Sequence, residues 1–259
     1  MIPCALSIAG SDSSGGAGIQ ADIKTMTALG VYAETVITAL TAQNTQGVQG
    51  VLPIASSFIT QQIESVFSDI RADAVKIGML PNEDSICAVA RGLRGWQADH
   101  VVLDPVLVAT SGASLSEDGA VVTLGKELLP LAEVVTPNIP EAQALSGMPI
   151  ETEDDMVAAG IILCKRGAKA VLIKGGHLQT CADDVLVFGE GNFEWFRASR
   201  VKTQNTHGTG CTLSSAIAAY LAKAIERAKR YLTGALIHDL DLGKGYGPVN
   251  HMWAYGANA

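Results

Sequence analysis

Two glycine-rich segments and three polar turns hold the residues of this chain that could do chemistry. The first segment, Gly10-Ser11-Asp12-Ser13-Ser14-Gly15-Gly16-Ala17-Gly18, follows an apolar run and opens a helical pattern. Glycines there allow tight turning and let backbone N–H groups face a ligand at a helix N-terminus. Its spacing is neither Gly-x-Gly-x-x-Gly nor Gly-x4-Gly-Lys-Ser/Thr, so neither the dinucleotide nor the Walker signature applies. A turn that is glycine-rich for steric reasons reads the same way. The second segment, Asn205-Thr206-His207-Gly208-Thr209-Gly210-Cys211-Thr212, directly precedes an Ala-rich helical pattern. Two glycines around a threonine at a helix start can present several unpaired N–H groups and the positive dipole end to an anion. That suits charge developing on a transferred phosphoryl group. Cys211 falls in the first turn, where the dipole lowers a thiol pKa and favours the thiolate. A small buried cysteine beside a capping threonine is the other reading.

The three turns each follow an apolar run. Leu103-Asp104-Pro105-Val106 sets a carboxylate at a strand end, Thr136-Pro137-Asn138-x-x-Glu141 sets an amide and a carboxylate at a helix opening, and Lys174-Gly175-Gly176-His177 sets a cation before two glycines. Each has a local explanation too. Asp104 could be a turn residue before proline, Asn138 and Glu141 an N-cap and N3 pair, and Lys174 a surface charge. Together, a cation, two or three carboxylates and two N–H-rich turns are the parts of a phosphoryl-transfer site.

Such parts act together only if one scaffold brings them to one edge. Apolar runs at Ala5–Ala9, Val31–Ala39, Ala74–Ile77, His100–Asp104, Glu133–Thr136 and Ala170–Ile173 read as strands. Their nearly uninterrupted apolar character fits a parallel sheet covered on both faces. Between them lie helical patterns near Ala17–Leu29, Ser57–Ile70, Asp84–Arg94, Glu117–Leu129, Glu141–Ser146 and Glu153–Arg166. Phe58-Ile59-x3-Ile63-x2-Val66-Phe67-x2-Ile70 has the three-and-four spacing of one helical face. The alternation predicts a three-layer α/β/α architecture built from crossover units, whose ligands bind beyond the carboxyl ends of the strands. Val185–Phe188 and Phe193–Phe196 flank Gly189–Asn192 as a hairpin, and Thr209–Lys223 and Ile225–His238 close the chain as helices. No linker, repeat or low-complexity tract divides residues 1–259, so one domain is expected.

Composition narrows the function classes. Of 259 residues, 48% are hydrophobic, and 18 basic against 26 acidic side chains give a net charge of −8. An acidic chain without a basic block has no electrostatic footprint for nucleic acid. No apolar run approaches the ~18 residues of a membrane span. The N-terminus lacks the basic start and long apolar stretch of a signal peptide and reads as a first strand, which points to the cytoplasm. Five scattered cysteines with no Cys-x-x-Cys pair argue against a disulfide framework or a structural zinc site.

At this point the residues carry a family likeness. The run Ser7-Ile-Ala-Gly-Ser-Asp-Ser-Ser-Gly-Gly-Ala-Gly-Ile-Gln-Ala-Asp22-Ile-Lys-Thr resembles the opening of the hydroxymethylpyrimidine phosphate kinases, thiamin-pathway members of the ribokinase-like fold. Val36-Ile-Thr-Ala-Leu-Thr-Ala-Gln43-Asn-Thr, Lys76-Ile-Gly-Met79-Leu, Asp104-Pro-Val, Thr136-Pro-Asn-x-Pro-Glu-Ala, Lys174-Gly-Gly-His, Asn205-Thr-His-Gly-Thr-Gly-Cys211-Thr-Leu-Ser and Tyr246-Gly-Pro-Val-x-His continue it in order over the whole chain. The resemblance implies a ribokinase-like α/β/α sandwich with a mostly parallel sheet. It also implies ATP-dependent phosphorylation of 4-amino-5-hydroxymethyl-2-methylpyrimidine and of its monophosphate, giving the diphosphate for thiamin synthesis. By the same likeness Gln43 hydrogen-bonds the pyrimidine, with Gly10, Ala17, Asp22 and Met79 nearby. An amide offers the aminopyrimidine edge both a donor and an acceptor. Lys174 and Thr206, with Asn138, would meet the nucleotide, and Asp104, Asn138 and Glu141 would organise Mg²⁺, often through water. Gly208-Thr209-Gly210 would form the anion hole and Cys211 the base. A homodimer is implied as well.

The wider fold usually carries Gly-Ala-Gly-Asp where this chain has Gly-Thr-Gly-Cys, a pattern shared by the pyrimidine kinases and a related group of pyridoxal kinases. A pyridoxal or pyridoxine kinase is therefore the first alternative, and Gln43 favours the aminopyrimidine. A non-catalytic relative would lack the lysine, a carboxylate or the anion hole, and none is missing here.

Overall fold

Nine strands form one sheet in the order β3-β2-β1-β4-β5-β6-β7-β8-β9. They are β1 (Cys4–Asp12), β2 (Tyr32–Asn44), β3 (Gly47–Pro53), β4 (Ala74–Ile77), β5 (Val101–Leu103), β6 (Val134–Val135), β7 (Ala170–Ile173), β8 (Asp184–Phe188) and β9 (Phe193–Phe196). The structure, a computed structural model, describes residues 3–107, 119–177, 183–221, 224–238, 240–243 and 245–254. Strands β2, β1, β4, β5, β6 and β7 are parallel, which aims their carboxyl ends at one edge. Antiparallel β3 extends one side, and β8 and β9 the other.

The helices are α1 (Gly18–Ala28), α2 (Ser56–Phe67), α3 (Glu83–Gly95), α4 (Ala120–Glu127), α5 (Ile139–Ser146), α6 (Glu153–Lys165), α7 (Thr209–Tyr220) and α8 (Ala224–Ile237). Alternate residues of each strand point to opposite faces, and the two cores follow from that. Leu6, Ile8, Val75, Ile77 and Leu103 pack with Ile59 and Ile63 of α2, Ile86 of α3, Leu124 of α4, Leu145 of α5 and Met156 of α6. Ala5, Val102 and Leu172 pack on the other face with Met26 of α1, Leu213 and Ile217 of α7 and Tyr231 of α8. This is the three-layer α/β/α sandwich with a mostly parallel sheet that the sequence predicts.

Several boundaries differ for local reasons. The β3 strand is absent from the sequence reading, because Gly47-Val-Gln-Gly-Val-Leu-Pro53 is an exposed edge with neither alternation nor a continuous apolar run. Its pairing carries β2 out to Asn44, five residues beyond the expected Ala39. His100 has φ +53, so β5 begins only at Val101. Helix α4 starts at Ala120 after the left-handed Gly119, and a short 3-10 turn with Pro130 follows it. Glu117, Asp118, Cys181 and Lys223 lie outside the described residues.

Candidate active site

The carboxyl edge of the sheet brings the sequence-selected turns together. Lys174, one residue past β7, lies with its Nζ 3.2 Å from Asp104 Oδ1 and 4.0 Å from Glu141 Oε2. Its side chain is only 16% exposed, so it is not the surface charge that its turn also allowed. Asp104 is buried and takes the hydroxyls of Thr136 (3.3 Å) and Ser214 (3.1 Å) as well. Asn138 and Glu141 do form the reciprocal capping box at the start of α5, at 2.8 and 2.9 Å. The cap and the charge cluster coexist, because the Glu141 carboxylate that receives the Asn138 N–H also faces Lys174. Burial pushes the Glu141 carboxyl up to about 7, against the opposing pull of Lys174. Burial also works against the Lys174 charge, yet Asp104 and Glu141 hold its pKa above the ordinary lysine value.

Helix α7 delivers its N-terminus to the same place. A Cβ on Gly210 would stand 3.4 Å from Lys174 Nζ and 3.6 Å from Asp104 Oδ2, so the Gly208–Gly210 turn runs directly over this pair. Gly208 has φ +81, and a Cβ there would overlap the carbonyl oxygen of Gly16. Only glycine lets the two glycine-rich segments meet in this way. They are also joined by side chains. Asp12 Oδ2 accepts from the backbone N–H of Gly16 (3.1 Å) and Ala17 (2.8 Å) and from His207 Nε2 (2.8 Å). Burial alone would raise the Asp12 carboxyl, but these bonds and those from Ser14 bring it down to about 2.

Beneath the loops lies a second charge pair. Lys76 of β4 donates to both oxygens of Asp22 in α1, at 2.9 and 2.8 Å, and both side chains are fully buried. Ser7 and Ser215 donate to the same carboxylate at 2.5 and 2.7 Å. Both Asp22 oxygens are therefore occupied from within the protein. Cys211 sits close to this pair, with the Gly18 N–H directed at it. The sequence leaves this thiol two readings, an activated thiolate or a small packed cysteine. Burial pushes the thiol up to about 11, and the counter-charge of Lys76 does not offset it.

The remaining predicted residues fall at the ends of β1, β2 and β4 and just before α1 and α7. The backbone N–H and C=O of Gln43 both bond Ser13 Oγ (3.0 and 2.9 Å), and its Oε1 lies 3.1 Å from the Thr41 hydroxyl. Gly10 is pressed against Met79, whose sulfur would be 2.8 Å from a Cβ there. Ala17 precedes α1 and is partly exposed. Thr206 stands between Asn205 and His207, with its N–H on the Gln204 carbonyl at 3.0 Å. A polar cavity of about 650 Å³ opens beside that stretch, lined by Lys202, Gln204, Asn205, Asp241 and Gly243 among others.

Three residues with no assigned role in the sequence reading, Asp12, His207 and Lys76, prove central to this geometry. Lys76 carried a signal: a charge inside the apolar strand Ala-Val-Lys-Ile needs a buried partner. The Asp12–His207 contact spans 195 positions, and no local pattern announces it.

The all-oxygen donor set of Asp104, Asn138 and Glu141 suits Mg²⁺. Among the described residues no group of three or more His, Cys, Asp or Glu could hold an ion by itself.

Comparison with known proteins agrees with this geometry. A family model described as phosphomethylpyrimidine kinase matches residues 12–250. The thiamine biosynthesis bifunctional protein ThiED of Geobacter sulfurreducens is 50% identical over 96% of this chain, which spans only 52% of that longer protein. The hydroxymethylpyrimidine/phosphomethylpyrimidine kinase of Salmonella typhimurium is 48% identical over 97% of this chain and 98% of its own length. Among solved structures, an ADP complex of Bacillus subtilis pyridoxal kinase superposes with a TM-score of 0.91 at 39% identity, covering 99% of this chain and 100% of that one.

Proposed function

The chain belongs to the phosphomethylpyrimidine kinase family, and we propose that it transfers the γ-phosphoryl group of ATP to 4-amino-5-hydroxymethyl-2-methylpyrimidine and then to the resulting monophosphate. The observation that carries this reading is the convergence of Lys174, Asp104, Glu141 and the Gly210 turn within about 4 Å at the carboxyl edge of the sheet. Phosphoryl transfer asks little covalent chemistry of a protein and much positioning and charge neutralisation.

In this reading Lys174 meets the transferring phosphoryl group, and Gly208-Thr209-Gly210 present backbone N–H groups to the charge that develops there. Thr206 and Asn138 border the nucleotide, and the polar cavity beside Thr206 takes its nucleoside part. Asp104, Glu141 and Asn138 would hold Mg²⁺, and the ion would neutralise phosphate charge when bound. Gln43 pairs with the aminopyrimidine edge, while Gly10, Ala17 and Met79 shape the ring pocket. In the first step Cys211 takes the hydroxyl proton only once its own thiol proton has been lost, so the ionised fraction carries that step. The second step needs no such help, since a phosphomonoester, with its second pKa near ~6, is largely deprotonated at pH 7. A single kinase domain over residues 1–259, a homodimer and a cytoplasmic location complete the proposal. Among the described residues no helix is long and apolar enough to cross a membrane.

A pyridoxal kinase is the second reading, favoured by the likeness to the Bacillus subtilis enzyme. One assay separates them: ADP release measured with hydroxymethylpyrimidine, its monophosphate and pyridoxal side by side. The expected result is turnover of both pyrimidines with pyridoxal the poorer substrate. Turnover of pyridoxal alone would replace the first reading with the second.

A further inference from the structure

We propose that Asp12 and His207 are positioning residues that lock the acceptor loop (Gly10–Gly18) to the anion loop (Asn205–Cys211), so that the two substrates meet in register. This rests on the kinase reading above and adds two residues that reading does not use.

The geometry converges on a single atom. Asp12 Oδ2 collects two backbone N–H groups of its own loop, from Gly16 and Ala17, and the ring Nε2 of His207 from the other. A carboxylate this strongly hydrogen-bonded is ionised and can only accept, so Nε2 carries the proton. The other oxygen, Oδ1, is occupied by the N–H and hydroxyl of Ser14 at 2.8 Å each. Asp12 is 2% exposed and His207 6%, so water does not compete for the bond.

The bond also closes a circuit around the reacting centre. Ala17, held by Asp12, directly precedes Gly18, whose N–H is directed at Cys211. His207 precedes Gly208, whose Cα packs on the Gly16 carbonyl, and three residues later the chain reaches Cys211. The His207 ring itself fills the space beside Gly16, where a Cβ would collide with it. On its far side the chain at His207 bridges to Pro248, and its N–H bonds the Gly247 carbonyl at 3.3 Å. Without the ring, the acceptor loop and the anion loop keep the backbone approach of Gly16 to Gly208 and the Gly18 N–H at Cys211, but no side-chain tie through Asp12. A shift of about 1 Å between reacting groups can cost ~10²-fold in rate.

The test uses the full chain with His207→Ala, His207→Gln and Gly16→Ala. Gln retains an N–H that can reach Asp12. Gly16→Ala removes no polar group but drives a methyl against the ring. Equilibrium binding of ATP and of hydroxymethylpyrimidine is titrated separately, and ADP formed is compared with phosphorylated pyrimidine formed. For His207→Ala and Gly16→Ala the expected result is a kcat lowered by roughly 10- to 100-fold, each Kd within about threefold of wild type, and ADP in excess over product. His207→Gln should recover most of the rate and restore one ADP per product. If His207→Ala does not fold, the Gly16→Ala and His207→Gln pair decides alone. Wild-type kcat and coupling in folded variants would overturn the inference, as would a loss confined to thermal stability. Failure of the underlying kinase reading looks different: the unaltered protein then turns over neither pyrimidine.

Discussion

Lys76 and Lys174 are two lysines of one sheet, each set against an aspartate, and they are spent in opposite ways. Lys76 lies inside β4 on the face covered by α1 and α7, where Asp22 offers it both oxygens and Ser7 and Ser215 fill what remains. Neither side chain of the pair meets water. Burial works against the charge of Lys76, but Asp22 overrides it and raises the pKa well above the usual lysine range. Lys174 lies just past the end of β7, reaches one oxygen of Asp104 at 3.2 Å and only approaches Glu141 at 4.0 Å. It also keeps part of its surface open. A charge whose partners are saturated stabilises the fold and has nothing to offer a ligand. One held loosely at an opening, with carboxylates nearby, can turn to a phosphate.

The largest effect expected from breaking this contrast is on stability. Lys76→Met leaves Asp22 buried and uncompensated, which should cost about 3–5 kcal/mol in denaturant unfolding. Adding Asp22→Leu should recover most of that, because an apolar pair of similar volume replaces a pair that was expensive to bury. A single variant within ~1 kcal/mol of wild type would mean that the pair is not the anchor its geometry implies.

Cys211 sharpens the comparison, since it sits between the two charge systems. A base acts only when deprotonated, and burial holds this thiol up to about 11. Phosphorylation of the free hydroxymethylpyrimidine should therefore accelerate with pH through the neutral range, while phosphorylation of the monophosphate stays nearly flat above ~6. Cys211→Ala should lower the first reaction by about 10²-fold, abolish its pH rise and spare the second. Equal losses in both reactions, with binding and folding intact, would remove the step-specific role.

A smaller effect is expected at Gln43, whose backbone is tied to Ser13 and whose amide oxygen accepts from the Thr41 hydroxyl. Gln43→Leu should weaken pyrimidine binding by about 1–3 kcal/mol in calorimetric titration and leave ATP binding alone. An unchanged pyrimidine Kd would take Gln43 out of the site.

The contrast between the lysines also marks what sequence patterns can carry. The buried parallel strands were legible because burial on both faces makes them apolar throughout, and the turns that follow them stood out by their glycines and charges. The Asn138–Glu141 spacing announced its cap, since that bond is local. Partners were hidden. Nothing near Lys76 names Asp22, 54 positions earlier, and Asp12 and His207 meet only because β1 and α7 share an edge. The edge strand β3 was hidden too, as an exposed hairpin arm needs no apolar pattern. The Cys211 thiol stayed open between two readings for a similar reason. A helix terminus is visible in sequence, whereas the charges and atoms packed around Cys211 are a product of the whole fold.

The most direct test of the account measures turnover and unfolding on one preparation of Lys174→Ala. Asp104 keeps its bonds from Thr136 and Ser214 in that variant, and Glu141, with a carboxyl near 7, can take up a proton. The account predicts a kcat at saturating ATP reduced about 10²–10³-fold, with an unfolding free energy lowered by less than half of what Lys76→Met costs. Wild-type turnover, or a stability loss as large as that of Lys76→Met, would contradict the division of labour between the two lysines.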